Sequence, residues 1–131
     1  MQKSILVADD DRDVVTFVST VLEKSGYKVI SAKNGEEALE KIKANRPDLV
    51  ILDVLMPKQS GIRLYRELKT DQSLKDIPVV ILSGISKRTF LRSQEVLTEF
   101  GGEPVHEPEV YIEKPVEADD LAQTVSEVLG G

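Results

Sequence analysis

Polar residues that can perform phosphoryl chemistry follow four short apolar segments of this chain. Asp9 and Asp10 follow the first segment, Asp53 the second, Ser83 the third, and Lys114 comes shortly after the fourth. Carboxylates suit Mg2+, which prefers oxygen ligands and retains bound waters. A carboxylate can also attack phosphorus as a nucleophile, while an ammonium and a hydroxyl bind the phosphoryl oxygens. These residue types therefore indicate magnesium binding and phosphoryl transfer to a carboxylate, provided that the fold brings them together.

The apolar segments themselves read as buried β-strands. Residues 5–8, 49–52 and 79–82 are each four consecutive apolar residues, and Tyr111 and Ile112 form a shorter segment. Short continuous apolar runs of this kind are typical of parallel strands that are covered on both faces. Parallel strands present their carboxyl ends at one edge of the sheet, where ligands bind. We therefore expect the three carboxylates, the hydroxyl and the amine to meet in one cleft.

Amphipathic segments between the strands predict helices. Apolar residues at helical spacing follow Asp10 and Asp11, either of which can cap the first helix, and Gly26 can end it. Asn34 and Glu37 resemble a capping box that opens the second helix. The remaining predicted elements are a strand at 27–32, a helix carrying Leu64, Tyr65 and Leu68, a helix within 86–100, a strand at 109–113 and a helix at 117–129. Five alternating strands and helices predict a doubly wound α/β fold.

Composition excludes several other classes of protein. A chain of 131 residues is enough for one domain, and its 40% apolar and 31% charged residues are typical of a globular one. The net charge of −6 and the lack of a basic stretch with interleaved aromatics argue against nucleic-acid binding. Without cysteine there is no disulfide, thiol nucleophile or zinc–thiolate site. No apolar stretch reaches membrane-spanning length and no signal peptide is evident, so we expect a cytoplasmic protein without a membrane partner.

These residues together resemble the receiver domain of two-component response regulators over essentially the whole chain. The matching pieces are Asp9-Asp10, Asp53 followed by Met56-Pro57 and Gly61, Ser83 with Gly84, and Lys114-Pro115. Each piece is weak alone, but the full set in this order is specific. The resemblance implies a flavodoxin-like sheet of strand order 2-1-3-4-5 and dependence on Mg2+. It also implies transfer of a phosphoryl group from a phosphohistidine, on a sensor histidine kinase or a histidine phosphotransfer protein, to Asp53.

The resemblance implies a role for each residue of the predicted site. Asp9 and Asp10 would form an acid pocket for Mg2+, with the backbone carbonyl of Leu55 as a further ligand. Asp53 would be both metal ligand and phosphoacceptor. Lys114 would neutralise Asp53 and then a phosphoryl oxygen. Taken one at a time, the same residues also fit purely structural roles, in which the acids cap a helix or a turn and the lysine is a solvated residue at the end of a strand.

Ser83 and Tyr111 are implied to form a switch. The Ser83 hydroxyl would move toward the phosphoryl group, and Tyr111 would swing inward to fill the vacated space. Phosphorylation would thereby shift a pre-existing equilibrium and alter the surface of the fourth helix, fifth strand and fifth helix, where a downstream protein would bind. The alternative is that Tyr111 is an amphipathic aromatic on an edge strand.

The chain departs from the family pattern at a few places. The interval between Ser83 and Lys114 is longer than usual, and the surplus falls at 101–109, either as a tolerated solvated loop or as a partner-selecting element. Ser60 stands where many relatives carry an acid, although its hydroxyl can still cap the third helix. Leu55 and Ile85 offer no polar group to an attacking water, which predicts slow hydrolysis of the acyl phosphate.

Three functions are compatible with these residues. The first is a phosphorylatable receiver, a signalling protein rather than a dedicated enzyme. The second is a magnesium-dependent phosphohydrolase with an aspartyl nucleophile, but such enzymes usually carry an acid at the position of Leu55. The third is an interaction module that has lost phosphorylation, against which the complete residue set argues. We expect a stand-alone regulator rather than a receiver cut from a longer protein, acting as a monomer or as a phosphorylation-dependent dimer.

Overall fold

Five strands and five helices alternate along the chain in a computed structural model, which describes residues 2–56 and 60–130. The elements are β1 (Ser4–Ala8), α1 (Arg12–Lys24), β2 (Lys28–Ala32), α2 (Gly35–Ala44), β3 (Leu49–Leu52), α3 (Gly61–Thr70), β4 (Val79–Ser83), α4 (Lys87–Glu99), β5 (Val110–Glu113) and α5 (Ala118–Val128). All neighbouring strands are parallel, in the order β2-β1-β3-β4-β5. The predicted fold class and strand order are confirmed. Pro57 of the sequence motif lies outside the described residues.

The sheet separates two hydrophobic layers. Ile5 and Val7 of β1 pack with α1 and α5 on one face, and Leu6 and Ala8 pack with α2, α3 and α4 on the other. β3 and β4 are buried at every position, as their uninterrupted apolar sequences predict. Because each fully buried Leu, Ile or Val side chain contributes roughly 1.5–3 kcal/mol, this double layer holds the strand ends in a stable arrangement.

Side chains cap the helices that start at the edge of the sheet. Asp11 accepts hydrogen bonds from two backbone amides in the first turn of α1, at 2.9 and 3.4 Å. Asn34 accepts one from the Glu37 amide at 2.8 Å, and Ser60 caps α3 as predicted. The Glu37 carboxylate pairs instead with Lys41, at 3.2 Å, so only the Asn34 half of the predicted capping box is found among the described residues.

The 101–109 segment between α4 and β5 is mostly exposed but is attached to the fold. Two residues of α3 donate hydrogen bonds to backbone carbonyls of the segment, Arg66 to Glu103 and Tyr65 to His106, the latter at 2.5 Å. Lys87 of α4 forms a 3.3 Å ion pair with Glu107. The Val79 amide of β4 donates a 2.7 Å hydrogen bond to the Glu109 carboxylate. The segment is thus solvated, as one of the two interpretations predicts, and is also held against α3, α4 and β4. Whether it selects a partner stays a prediction.

Within residues 2–56 and 60–130, no helix combines the length and the apolar character that crossing a membrane requires.

Candidate functional site

Backbone pairing places the predicted site residues at the carboxyl edge of the sheet. The Asp53 amide donates to the Ala8 carbonyl at 2.9 Å, which brings Asp53 beside Asp9, the next residue along β1. The Lys114 amide donates to the Ser83 carbonyl at 2.8 Å, which joins the ends of β4 and β5. Residues that are far apart in sequence are therefore brought together by the ladder of the parallel sheet.

Asp9, Asp10 and Asp53 form an acid cluster at this edge. One carboxylate oxygen from each residue lies within 4.8 Å of the others. Asp9 is 4% exposed and Asp53 is 6% exposed, whereas Asp10 is solvent-exposed. Two carboxylates about 4 Å apart repel by roughly 4 kcal/mol at an effective dielectric constant of 20. The cluster thus provides three oxygen donors that a hard divalent cation prefers and a repulsion that such a cation would remove.

The pKa of Asp9 reflects this unfavourable environment. Burial raises the pKa of Asp9 above its ordinary value, and the charge of Asp53 acts in the same direction. Hydrogen bonds from the Asp11 amide, at 2.9 Å, and from Lys114, at 3.0 Å, lower the pKa and offset part of the effect. The carboxylate is thus held in place by two donors but remains electrostatically unfavourable without a cation.

Lys114 connects the two buried acids. Its Nζ lies 3.0 Å from Asp9 Oδ2 and 3.8 Å from Asp53 Oδ2. An ammonium is a compact charge with three donors on a flexible stem, so it can contact a carboxylate and a neighbouring phosphoryl oxygen in turn. The lysine is therefore positioned to neutralise charge that develops at Asp53.

Ser83 is completely buried at the end of β4. Its Oγ accepts a 3.3 Å hydrogen bond from the Ile85 amide, which leaves the hydroxyl proton available for another acceptor. The strand pairing sets Leu52 opposite Ile81, so Ser83 lies on the same edge as Asp53. This geometry is compatible with the predicted contact between Ser83 and a phosphoryl oxygen, which stays a prediction.

Tyr111 lies on the α3–α4 side of β5 and is half-buried. Its hydroxyl donates a 2.6 Å hydrogen bond to the Ile85 carbonyl, and its ring centroid is 5.5 Å from that of Phe90. Burial, assisted by the nearby charges of Glu113 and Asp53, raises the pKa of Tyr111 to about 12. Tyr111 is thus bonded to the same residue, Ile85, whose amide contacts Ser83. Its role as a switch stays a prediction.

The other candidate residues occupy distinct positions. Asp11 caps α1 and directs its carboxylate to the helix amides. Leu55 is 63% exposed, and none of the described residues donates a hydrogen bond to its carbonyl. Its role as a metal ligand stays a prediction. His106 lies in the 101–109 segment and is not part of the acid cluster.

Gly61 explains how α3 can begin directly behind the acid cluster. A Cβ atom at this position would collide with the backbone carbonyl oxygen of Asp53 and would lie 2.7 Å from the Cα of Val54. The Gly61 amide instead donates to the Val54 carbonyl at 2.9 Å. The absence of a side chain therefore lets α3 support the backbone that presents Asp53.

An apolar cleft beside Lys114 was not predicted. It has a volume of about 310 Å³, and its lining includes Val14, Phe17, Pro115 and Val116. Phe17, one of the apolar residues at helical spacing on α1, is 38% exposed. The sequence does contain a signal for this cleft, because the apolar residues of α1 cover a wider arc than one buried stripe requires.

Comparisons with known proteins agree with this geometry. A family model of the response regulator receiver domain matches residues 5–126. The polar-differentiation response regulator DivK of Brucella anthropi is 31% identical over 130 residues, which cover 99% of this chain and 98% of that protein. The alkaline phosphatase synthesis transcriptional regulatory protein PhoP of Bacillus subtilis is 43% identical over 83 residues, or 63% of this chain. Those residues cover 34% of PhoP, so this chain spans about a third of that longer relative.

Solved structures show the same architecture. The signal receiver domain of a signal transduction histidine kinase from Syntrophus aciditrophicus has a TM-score of 0.83 and 34% identity, covering 98% of this chain and 91% of that chain. The chemotaxis response regulator CheY4 of Vibrio cholerae has a TM-score of 0.80 and 25% identity, covering 98% of this chain and 99% of that chain. The likeness extends over the whole sheet and its helices.

Proposed function

This chain belongs to the response regulator receiver family, and from that premise we propose that it accepts a phosphoryl group on Asp53 with the aid of Mg2+. Proteins of this family are signalling proteins that interact with histidine kinases and with downstream targets. The observation that carries the proposal is the acid cluster with its lysine. Three carboxylate oxygens lie within 4.8 Å of one another, and Lys114 Nζ is 3.8 Å from Asp53. Residues 1–131 would act as one receiver domain in the cytoplasm.

The acid cluster fits a magnesium ion through its donor set. The carboxylates of Asp9, Asp10 and Asp53, with the Leu55 carbonyl, would hold the ion together with water. When bound, Mg2+ neutralises the carboxylates and the incoming phosphoryl oxygens. Asp10 is the exposed member of the cluster, so it faces the side from which a hydrated ion arrives.

Asp53 performs the covalent step in this proposal. One of its carboxylate oxygens attacks phosphorus in line, the P–N bond of a phosphohistidine breaks, and the electron pair returns to the imidazole ring. The products are an acyl phosphate on Asp53 and an uncharged histidine on the donor once protons have equilibrated with solvent. Lys114 stabilises the charge on one phosphoryl oxygen, and the Ser83 hydroxyl donates to another.

The apolar cleft beside Lys114 is the surface that we assign to the phosphohistidine-bearing protein. Phe17 and Val14 lie on α1, and Pro115 and Val116 follow Lys114 directly. A donor that covers this cleft would bury apolar surface next to Asp53 and hold its phosphoryl group in place. We expect Phe17→Ala to slow phosphotransfer from a protein donor about tenfold or more, while leaving phosphorylation by a small acyl phosphate unchanged. Equal slowing with both donors would contradict this assignment.

Downstream of phosphorylation, the proposed switch uses Ser83 and Tyr111. The Ile85 backbone already joins them, because its amide donates to Ser83 Oγ and its carbonyl accepts from the Tyr111 hydroxyl. A move of Ser83 toward the phosphoryl group would alter the β4–α4 connection and shift the position of Tyr111. The face formed by α4, β5 and α5 would then bind its protein target, either as a monomer or as a dimer.

Incubation with Mg2+ and acetyl phosphate, followed by intact-mass measurement, tests the proposal. We expect one phosphate-sized adduct that is absent in Asp53→Asn and absent after chelation of Mg2+. Asp76→Asn is the matched control, because Asp76 is exposed near the opposite edge of the sheet, before β4 begins. An adduct that persists in Asp53→Asn would overturn the assignment. Steady turnover of assorted phosphate esters would favour the phosphohydrolase alternative.

A further inference from the structure

The 101–109 segment is joined to the protein interior by Tyr65 of α3. Tyr65 has no solvent exposure, and its hydroxyl donates a 2.5 Å hydrogen bond to the backbone carbonyl of His106. A buried hydroxyl needs a partner, and the carbonyl supplies it. The position of the Tyr65 ring and the position of the 101–109 segment therefore depend on each other.

Tyr65 also belongs to a row of three aromatic rings, which we call the aromatic cluster. The Tyr65 and Phe90 centroids are 5.4 Å apart with an interplanar angle of 77°, and the Phe90 and Tyr111 centroids are 5.5 Å apart at 52°. Phe90 is fully buried between the two tyrosines. Because protein interiors are close-packed, a displacement of Tyr111 changes its contact with Phe90 and hence the space available to Tyr65.

Tyr111, at one end of the aromatic cluster, is hydrogen-bonded to the connection that follows Ser83. The Tyr111 hydroxyl donates to the Ile85 carbonyl at 2.6 Å, and the Ile85 amide donates to Ser83 Oγ at 3.3 Å. A continuous set of contacts therefore runs from the carboxyl edge of the sheet, through Ile85 and the three rings, to His106.

From these contacts we propose that Tyr65 is a positioning residue that couples the Tyr111 switch to the 101–109 segment. Phosphorylation of Asp53 would then change the placement of this segment, which becomes part of the responsive surface. The inference rests on the proposed function, since its input is the acyl phosphate on Asp53. Its physical basis is a contact that differs between the two states of the switch. The hydrogen bond between Tyr65 and His106 has different strengths in the two states of Tyr111, so phosphorylation biases both together.

His106 supplies the measurement, because it is the only histidine in the 131 residues. Its imidazole C–H proton resonances report on the 101–109 segment alone, in spectra recorded well above the pH range in which imidazole ordinarily titrates. The spectra are compared in Mg2+ before and after addition of acetyl phosphate, and intact mass gives the phosphorylated fraction of the same sample. We expect the His106 resonances to shift in proportion to that fraction.

Tyr65→Phe removes only the hydroxyl and keeps the ring against Phe90. We expect this variant to reach the same phosphorylated fraction as the unsubstituted chain, while the phosphorylation-induced shift of His106 falls to less than half. Tyr27→Phe is the matched control, because Tyr27 packs on the opposite face of the sheet, with α1 and α5. The shift should be unchanged in that variant.

The outcomes separate this inference from the proposed function. A fully phosphorylated chain with unmoved His106 resonances, or an equal shift in Tyr65→Phe, overturns the coupling and leaves phosphorylation of Asp53 intact. The second result would mean that the added charge acts through space, since that field is the same with and without the hydroxyl. Absence of the mass adduct overturns the proposed function, and with it the input that the coupling requires.

Discussion

The acid cluster lies at the carboxyl edge of the sheet, the aromatic cluster lies between α3, α4 and β5, and the two are built in opposite ways. At the first, like charges are gathered and partly buried, and the pKa of Asp9 is raised by that burial. At the second, three rings pack edge to face or tilted, and the hydroxyls of both tyrosines have backbone acceptors. The first region is electrostatically unfavourable without a cation, and the second is fully satisfied.

This difference shows where the molecule can respond. A site that is unfavourable by itself gains most from a bound cation, because the cation neutralises the crowded carboxylates. A close-packed group of rings cannot absorb a displacement locally and passes it to its neighbours. The acid cluster is thus suited to receive a signal, and the aromatic cluster is suited to transmit one.

The largest expected effect comes from emptying the aromatic cluster. Phe90→Ala should lower the free energy of unfolding by about 3–5 kcal/mol, because it removes a fully buried ring and leaves a cavity. Phe100→Ala is the control at the end of the same helix. Phe100 is 85% exposed, so its truncation should change stability by less than about 0.5 kcal/mol. Denaturant titration measures both, and similar small losses would show that the rings are loosely packed.

A substitution that removes a charge from the acid cluster should stabilise the protein, in contrast to Phe90→Ala. Asp9→Asn in the absence of Mg2+ should raise the free energy of unfolding by roughly 1–2 kcal/mol, because it removes a carboxylate whose burial and repulsion by Asp53 are only partly offset by the Asp11 amide and Lys114. The same substitution should remove most of the stabilisation that Mg2+ confers on the unsubstituted chain. Thermal unfolding with and without Mg2+ checks both statements. A destabilised Asp9→Asn without Mg2+ would mean that its ion pair with Lys114 outweighs the repulsion.

The pH dependence of stability follows from the raised pKa of Asp9. Between the ordinary value of 3.8 and the raised value, the folded chain holds a proton that the unfolded chain has lost. The contribution of Asp9 to stability is therefore fully present below about 3.8 and is lost as the pH rises through the folded pKa. Relative to Asp9→Asn, the unsubstituted chain without Mg2+ should become progressively less stable over this window. If the stability of the two chains changed with pH in the same way, Asp9 would not be the group with the raised pKa.

The smallest expected effect concerns the lifetime of the acyl phosphate. Leu55 is 63% exposed, so Leu55→Asn should leave stability nearly unchanged while giving an attacking water a polar partner. Dephosphorylation, followed by intact mass after the phosphodonor is removed, should accelerate several-fold. Leu55→Ala controls for the loss of the bulky side chain. An unchanged or slower decay in Leu55→Asn would count against the role of this position.

The strand ends were predictable because their signal is local. Asp53 and Ser83 each end a run of apolar residues, and such a run both forms a buried strand and identifies the point where it stops. Parallel strands share one edge, so the meeting of these residues followed from the fold class. The caps at Asp11, Asn34 and Ser60 were local in the same sense, since each side chain bonds to an amide within three residues.

The neighbours of the helices were not predictable in this way. Periodicity identifies Tyr65 as an inward residue of α3, but not that its hydroxyl meets the carbonyl of His106, 41 residues later. Helical spacing likewise groups Phe17 with the other apolar residues of α1, but it does not show that Phe17 lies at the rim of their arc and lines a cleft. The spacing of apolar residues shows which side of a helix is apolar. How much of that side is buried depends on the elements that pack against it.

The amino-acid sequence alone is enough to predict the order of strands and helices along the chain and the chemistry at each strand end, because these depend on neighbouring residues, on uninterrupted apolar runs and on the helical period of 3.6. Three features depend on the packing of distant elements: Lys114 reaches Asp9 across 105 residues, three rings form one row, and the 101–109 segment is attached to α3. Such contacts require several elements to be positioned at once, and no local pattern encodes the distance between two side chains on different elements.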